Sequence, residues 1–437
     1  MENFATMHQM TTDLFQRVLN IFECSYDLTT DSRKVGKGSI FVGLKGENFD
    51  GNKFAQQAID QGAALVIIDN KDYCINEKTL LVENSLVFLQ KFANYYRKTL
   101  SIPFLAISGT NGKTTTKELV KAVLSKKFKV LATEGNLNNH IGVPLTLLKL
   151  RPETELAVIE MGASGLNDIK ELCDIAEPTC GVLTNVGTAH IEGFGSVEGV
   201  LQAKTELYRY LNAVNGKVFV NNDDERLAKQ QVGNKTTYAI HSDADMRART
   251  IDNGEVYAEI EFEGETIKSN LVGSYNAYNI LAALSIGRFF GVALKDMCEA
   301  IENYIPQNNR SEIKKTEKNT LILDCYNANP SSCHLAIQAF GKIAATDKRI
   351  YMGAMKELGK VSEQEHEFIA QTIKNMKLSQ AIFVGEEYRI FAQGENIYWF
   401  ANSLQAKDFL MQNTVENACI LIKGSRATQM EILQDVL

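Results

Sequence analysis

No part of this chain is apolar for long enough to cross a bilayer. The longest clean run, Ala63–Ile68, has the length of a buried strand, whereas a membrane helix needs about twenty residues. The opening residues, MENFATMHQM, lack a basic segment followed by an apolar one, so no secretory signal is expected. Cysteine is sparse. Eight residues, at positions 24, 74, 173, 180, 298, 325, 333 and 419, form no C-x-x-C pair, which predicts reduced, mostly buried thiols in a cytoplasmic enzyme. A basic excess is missing too. Lys and Arg total 46 against 53 Asp and Glu, a net charge of −7, which gives no reason to expect nucleic acid as a partner. Six prolines and thirty glycines carry no G-X-Y period, excluding collagen, and no fixed-period repeat or low-complexity tract stands out.

What is present is a globular composition, 45% hydrophobic and 23% charged. At 437 residues the chain is too long for one ordinary core, so two or three domains are expected. Apolar runs of strand length alternate with stretches of helical period, which predicts an α/β class with largely parallel sheets. Three units emerge, over residues 1–101, 102–307 and 308–437. Strands are expected at 39–44, 64–68 and 80–82 in the first; at 104–108, 156–160, 180–184 and 217–221 in the second; and at 321–324, 349–352, 381–384 and 418–422 in the third. Period-2 alternation around Val256–Phe262 reads as a small antiparallel insertion in the second unit.

The sharpest feature follows the strand Phe104–Ser108. Gly109-Thr110-Asn111-Gly112-Lys113-Thr114-Thr115 leads directly into a helical stretch. Two glycines let backbone N–H groups curl around phosphate oxygens, and the helix start adds free amides and partial positive charge. Lys113 would reach the outer phosphates, and the Thr114 hydroxyl would bind Mg²⁺. The loop is shorter than the common pattern, having Ile107 where a glycine often stands.

In open α/β sheets ligands collect at the carboxyl ends of strands. Glu160 closes one strand there and is placed to touch a Mg²⁺ held by ATP. His190 lies just beyond another and is a candidate for a second metal site, although a lone His is often a packing residue. Asn136, Asn138, Asn139 and His140 form a dense polar cluster before Gly142 and Pro144, either a loop network or a reader of polar substrate. Lys204, by itself, reads as a surface lysine on a helix.

Together these pieces resemble the Mur ligase family of ATP-dependent amino-acid ligases, over essentially the whole chain. The family's G-T-x-G-K-T loop matches Gly109–Thr114, its E-x-G-A element Glu160–Ala163, its N-x-x-x-x-H element Asn185–His190, and its N-x-x-N pair Asn276 and Asn279. Within the family, Asp324-Cys325-Tyr326-Asn327-Ala328-Asn329-Pro330 and Gly135–Pro144 resemble the branch that adds D-alanyl-D-alanine to a UDP-linked muramoyl tripeptide.

The resemblance implies an N-terminal UDP-sugar-binding α/β domain, a central phosphate-loop ATPase-type domain and a C-terminal Rossmann-like domain. It implies ATP with two Mg²⁺ ions, held by Thr114, Glu160, His190 and a carbamylated Lys204. Lys113, Glu160, His190 and Lys204 would carry catalysis. The Gly109–Thr115 loop, Asn276, Asn279, Arg310, Asp324 and Tyr326 would contact ATP. Ser32, Arg33, Lys45, Gly46 and Asp50 resemble the UDP-sugar pocket, and Asn136, Asn138, Asn139, Asn327 and Asn329 are further substrate candidates. A monomer acting on small molecules is expected. Two departures stand out: Leu323 precedes Asp324 where an acidic pair is common, and Asn52 follows Gly51 where His is frequent. A sibling ligase acting on another acceptor, such as a folate, and a slow nucleotide switch are the competing readings.

Overall fold

A computed structural model describes residues 2–187, 191–252, 256–307 and 309–437. Among the described residues the chain folds into three α/β domains, each around its own sheet. The N-terminal sheet holds β1 (Leu28–Thr29), β2 (Ile40–Val42), β3 (Leu65–Ile68) and β4 (Thr79–Leu81), in that order and all parallel. Alternate side chains serve opposite faces, as the period of a strand requires. Ile40, Val42 and Ile67 face one core, while Phe41, Val66 and Ile68 face a smaller one with Ala55 and Ala58.

The central domain contributes β5 (Phe104–Ser108), β6 (Val130–Ala132), β7 (Leu156–Glu160), β8 (Cys180–Leu183), β9 (Lys217–Asn221), β10 (Lys235–Ala239), β11 (Met246–Thr250), β12 (Tyr257–Phe262) and β13 (Glu265–Val272). Their spatial order is β13-β12-β11-β10-β9-β8-β5-β7-β6. Strand β5 thus lies inside the sheet with every residue buried. The expected antiparallel element is present as β11–β13. It extends the edge of the large sheet instead of standing apart as an insertion, because β11 pairs parallel with β10 on one side and antiparallel with β12 on the other.

The C-terminal sheet comprises β14 (Glu312–Lys315), β15 (Thr320–Asp324), β16 (Lys348–Gly353), β17 (Gln380–Val384), β18 (Ile397–Phe400) and β19 (Cys419–Lys423), ordered β14-β15-β19-β16-β17-β18. Only β14 runs antiparallel to its neighbour. Short edge strands such as β1, β6 and β18 escaped the sequence reading because runs this brief carry little periodicity.

The helix Glu2–Ser25 was also unread. Phe15, Val18, Leu19 and Phe22 follow the i, i+3, i+4, i+7 spacing of one helical face and are buried. That face packs on Phe88, Phe92 and Tyr96 of the helix Ser85–Thr99 through close, mostly tilted or edge-on ring contacts. The same core continues into the central domain through Phe104, Val143, Ile159 and Leu172. Arg97 bridges the two domains. Its guanidinium donates to the carbonyls of Ala176 (2.9 Å) and Glu177 (2.6 Å) at the end of the helix Asp168–Ala176, and lies 4.2 Å from the Phe104 ring centroid. A cation suits the negative end of a helix dipole.

Arg97→Ala is expected to cost about 2 kcal/mol, the scale of hydrogen bonds from a charged donor. The check is a lower unfolding midpoint for the N-terminal and central domains together by scanning calorimetry.

Candidate functional site

The phosphate-binding loop sits where β5 meets the helix Lys113–Leu124. Gly109 has φ +133° and Gly112 has φ +79°. A Cβ on Gly109 would stand 2.1 Å from Thr184 Oγ1, and one on Gly112 would stand 2.5 Å from Asn279 Oδ1. Both positions therefore need glycine for conformation and for space. Thr184 Oγ1 donates to the Asn111 carbonyl (2.6 Å), and the Gly187 N–H donates to Thr110 Oγ1 (2.8 Å). Lys113 Nζ folds back along the loop, donating to the carbonyls of Gly109 (2.8 Å) and Thr110 (3.0 Å). Burial pulls its pKa down, Glu160 opposes the shift and Arg310 adds to it.

Glu160, at the end of β7, is 2% exposed. Its Oε1 accepts from Thr114 Oγ1 (3.1 Å) and Asn138 Nδ2 (2.8 Å), and its backbone N–H donates to Thr133 Oγ1 (2.9 Å). Oε2 is buried and has no hydrogen bond among the described residues. Among the described residues Lys117 Nζ is the nearest cation to it, at 4.0 Å. A buried carboxylate oxygen without a donor, beside a threonine hydroxyl, is a donor set that suits a hard divalent cation. Among the described residues no cluster of three or more His, Cys, Asp or Glu could hold a metal.

Lys117, behind Glu160, is a buried lysine that the sequence reading missed. It is fully buried, donates to the Thr133 carbonyl (2.6 Å) and pairs with Glu118 (2.8 Å). The signal was its place four residues after Lys113, on the same helical face.

Lys204 is not the surface residue its local pattern suggests. It is 2% exposed, at the end of the helix Val197–Lys204. Its Nζ lies 3.4 Å from the Ala163 carbonyl and 5.5 Å from the Phe194 ring centroid. Burial, with Lys113 nearby, pulls its pKa down to about 7 against the opposing pull of Asp168 and Glu206. Thr205 separates this helix from the next, Glu206–Ala213. His190 lies outside the described residues.

A cleft of about 1190 Å³ opens above the loop, between the central and C-terminal domains. Thr110 to Thr115, Glu160, Asn276 and Asn279 form its central-domain wall, and Arg310, Asp324, Tyr326, Asn327 and Asn329 face them. Arg310 stacks on the Tyr326 ring, 3.7 Å from guanidinium carbon to centroid. Asp324 is held by Lys423 (2.6 Å), whose ammonium is buried. Burial alone would lower that lysine's pKa, but Asp324 outweighs it and the pKa rises. Asn276 Nδ2 donates to the Val272 carbonyl (2.8 Å), Asn279 Nδ2 to Asn276 Oδ1 (2.8 Å) and Thr116 Oγ1 to Asn279 Oδ1 (3.1 Å).

The asparagine cluster divides. Asn138 and Asn139 are loop-builders: Asn138 ties Glu160 as above, and Asn139 Oδ1 accepts from the Gly142 N–H (2.8 Å). Asn136 is exposed on the cleft wall. Asn329 caps the helix Pro330–Lys342, and its Nδ2 donates to Asn111 Oδ1 (2.7 Å).

Ser32, Arg33, Lys45, Gly46 and Asp50 stand apart from this cleft, on the N-terminal domain. Arg33 pairs with Asp31 (2.8 Å) and holds that carboxyl down at about 2. Lys45 and Asp50 close a short antiparallel bridge around Gly46. Asn52 is fully buried and fastens Asp50 (2.7 Å) to Asp69 (2.9 Å); its hydrogen bonds lower the Asp50 pKa.

Three family models match the chain: "Mur ligase family, catalytic domain" over residues 26–105, "Mur ligase middle domain" over 107–287, and "Mur ligase, glutamate ligase domain" over 309–426. The UDP-N-acetylmuramoyl-tripeptide–D-alanyl-D-alanine ligase of Bacillus subtilis is 32% identical over 428 residues, covering 94% of this chain and 93% of that protein. Its Escherichia coli counterpart is 31% identical, covering 98% and 96%. Among solved structures, MurF from Acinetobacter baumannii superposes with a TM-score of 0.82 at 28% identity, covering 94% of this chain and 92% of that one. The MurF ligase from Thermotoga maritima in complex with ADP gives the same TM-score and identity, covering 94% and 96%.

Gly112→Ala places a methyl group against Asn279 and strains the left-handed turn. It is expected to weaken ADP binding more than tenfold in calorimetric titration, with the far-ultraviolet circular dichroism spectrum unchanged.

Proposed function

The chain belongs to the Mur ligase family, and from that premise we propose that it joins D-alanyl-D-alanine to UDP-N-acetylmuramoyl-tripeptide with ATP. The observation that carries this reading is the cleft itself. It sets the phosphate loop and Glu160 opposite the Arg310–Asn329 segment, where a phosphoryl donor, a carboxylate and an amine could meet.

A carboxylate resists attack by an amine because its negative charge makes it a poor electrophile. Transfer of the γ-phosphoryl of ATP changes that. A carboxylate oxygen of the tripeptide bonds to the γ-phosphorus, the β,γ-bridging P–O bond breaks, and ADP leaves. The dipeptide amine then attacks the acyl carbon, the bond from carbon to the phosphate oxygen breaks, and phosphate departs. The amine proton passes to solvent. The products are UDP-MurNAc-pentapeptide, ADP and phosphate.

The protein's part is positioning and charge neutralisation. Lys113 would leave the loop carbonyls for the outer phosphate oxygens. Thr114 and Glu160 would hold one Mg²⁺, and His190 with Lys204 a second. Bound there, the ions would neutralise charge on the phosphoryl group and the attacking carboxylate. Lys204 suits carbamylation, because a buried amine with a pKa near 7 is substantially neutral and nucleophilic toward CO₂ at neutral pH. The carbamate would replace an ammonium that repels cations with an anion that binds them.

Asn276, Asn279, Arg310, Asp324 and Tyr326 would hold the nucleotide, with the Arg310–Tyr326 stack as a flat face. Ser32, Arg33, Lys45, Gly46 and Asp50 would take the UDP end of the acceptor, with Asn136 nearer the reacting end. Asn327 adjoins a side cavity of about 300 Å³ that also holds Arg426 and Ser425. Among the described residues the buried Ser425 hydroxyl has no hydrogen-bond partner, and with Arg426 it fits the dipeptide carboxylate. Asn329, its amide already engaged, would act by placing Asn111. We take the enzyme to act as a monomer. Among the described residues no helix is long and apolar enough to cross a membrane; we place the enzyme in the cytoplasm, where UDP-linked precursors are built.

Two experiments test this. With Mg²⁺ and ATP, ADP release is expected only when tripeptide and dipeptide are present together, with one dipeptide unit added to the UDP-linked product by mass spectrometry. ATP hydrolysis indifferent to both would refute the ligase. For Lys204, the neutral amine is lost as pH falls below about 7, so activity should drop from pH 8 to pH 6 and on removal of CO₂. Lys204→Ala should lose at least a hundredfold in turnover, partly restored by a short carboxylate such as acetate. Full activity in CO₂-depleted buffer would rule the carbamate out.

A further inference from the structure

The N-x-x-x-x-H element contains an asparagine to which the chemistry above gives no task. The side-chain amide of Asn185 grips the phosphate loop with both of its ends. Its Oδ1 accepts from the Asn111 N–H (3.0 Å) and its Nδ2 donates to the Asn111 carbonyl (3.0 Å). One side chain thus pairs with the N–H and the C=O of a single residue, as a neighbouring strand would. The Asn185 backbone carbonyl also accepts from the Thr110 N–H (3.0 Å). The loop needs such support. Its two glycines lose the most freedom on ordering, and no loop residue between them belongs to a helix or strand.

Asn111 has a second attachment. Its side chain accepts from Asn329 Nδ2 (2.7 Å) and donates to Ser331 Oγ (2.8 Å), both at the start of the C-terminal helix Pro330–Lys342. The backbone of Asn111 is therefore held by β8's end, and its side chain by the other domain. We propose that Asn185 is a positioning residue that sets the shape of the phosphate loop and, through Asn111, its register against the C-terminal domain. This rests on the ligase reading only in assigning nucleotide to the loop.

The test uses the full chain, with ADP in the presence of Mg²⁺ as the probe. Asn185→Ala is expected to weaken ADP binding, and to raise the KM for ATP, on the order of tenfold for two lost hydrogen bonds. The KM for D-alanyl-D-alanine should stay within twofold. Amide exchange should quicken in residues 109–112. Asn185→Asp keeps the acceptor but turns a carboxylate toward the Asn111 carbonyl, so it should bind ADP more weakly than the alanine variant. Should the alanine protein not accumulate folded, Asn185→Ser carries the same comparison. Equal ADP affinity in native and variant proteins, or equal losses toward all three substrates with a lowered melting temperature, would overturn the proposal. Native protein that binds no ADP would instead remove the ligase reading, and this inference with it.

Discussion

The cleft depends on how closely the backbone at Gly109 and Gly112 approaches its neighbours. Thr184 and Asn279 occupy the space any Cβ would need, so the loop is confined between the end of β8 and the helix Asn276–Phe289. That confinement turns a flexible, glycine-bearing segment into a fixed ring of amides. It also explains why residues distant in sequence share one site: each wall of the slot comes from a different strand end or helix start, all on the carboxyl edge of the central sheet.

Charge burial is the second organising constraint. Lys117, Lys204, Lys423 and Glu160 are all withdrawn from water, where an isolated charge is costly unless it is paired. Two of these lysines show opposite outcomes. Lys423 has Asp324 at 2.6 Å, and its pKa rises despite burial. Among the described residues Lys204 Nζ has the Ala163 carbonyl at 3.4 Å and the Phe194 ring face, Asp168 and Glu206 do not outweigh burial, and its pKa falls to about 7. The first lysine is a strut that holds a carboxylate in place. The second is held with its charged form disfavoured, because its surroundings do not compensate its charge.

The three domains are joined in two different ways. The N-terminal and central domains share a continuous apolar core, reinforced by Arg97, and separating them would expose that core to water. The C-terminal domain has one core of its own, shares another with Val272 at the end of β13, and meets the phosphate loop through amide and hydroxyl groups on Asn111, Asn329 and Ser331. Polar contacts of this kind exchange readily for water.

Much of this was legible in the sequence. The alternating patterns marked the α/β class and the long central strands, since burial on both faces writes an unbroken apolar run. The glycines and lysine of the phosphate loop declared themselves, because backbone conformation and phosphate chemistry are local requirements. Glu160 was legible from its place at a strand end. The helix Glu2–Ser25, the edge strands and the buried state of Lys117 and Lys204 were not. Burial is a property of what packs around a residue, and a lysine on a helix looks the same in sequence whether it faces solvent or Glu160. The pairing of Asn185 with Asn111, and of Asn111 with Asn329, spans 74 and 218 residues. The chain by itself determined which chemical groups were available and which segments could bend sharply. Tertiary structure decided which of those groups lost their water and which faced one another, because both depend on contacts between segments far apart in sequence.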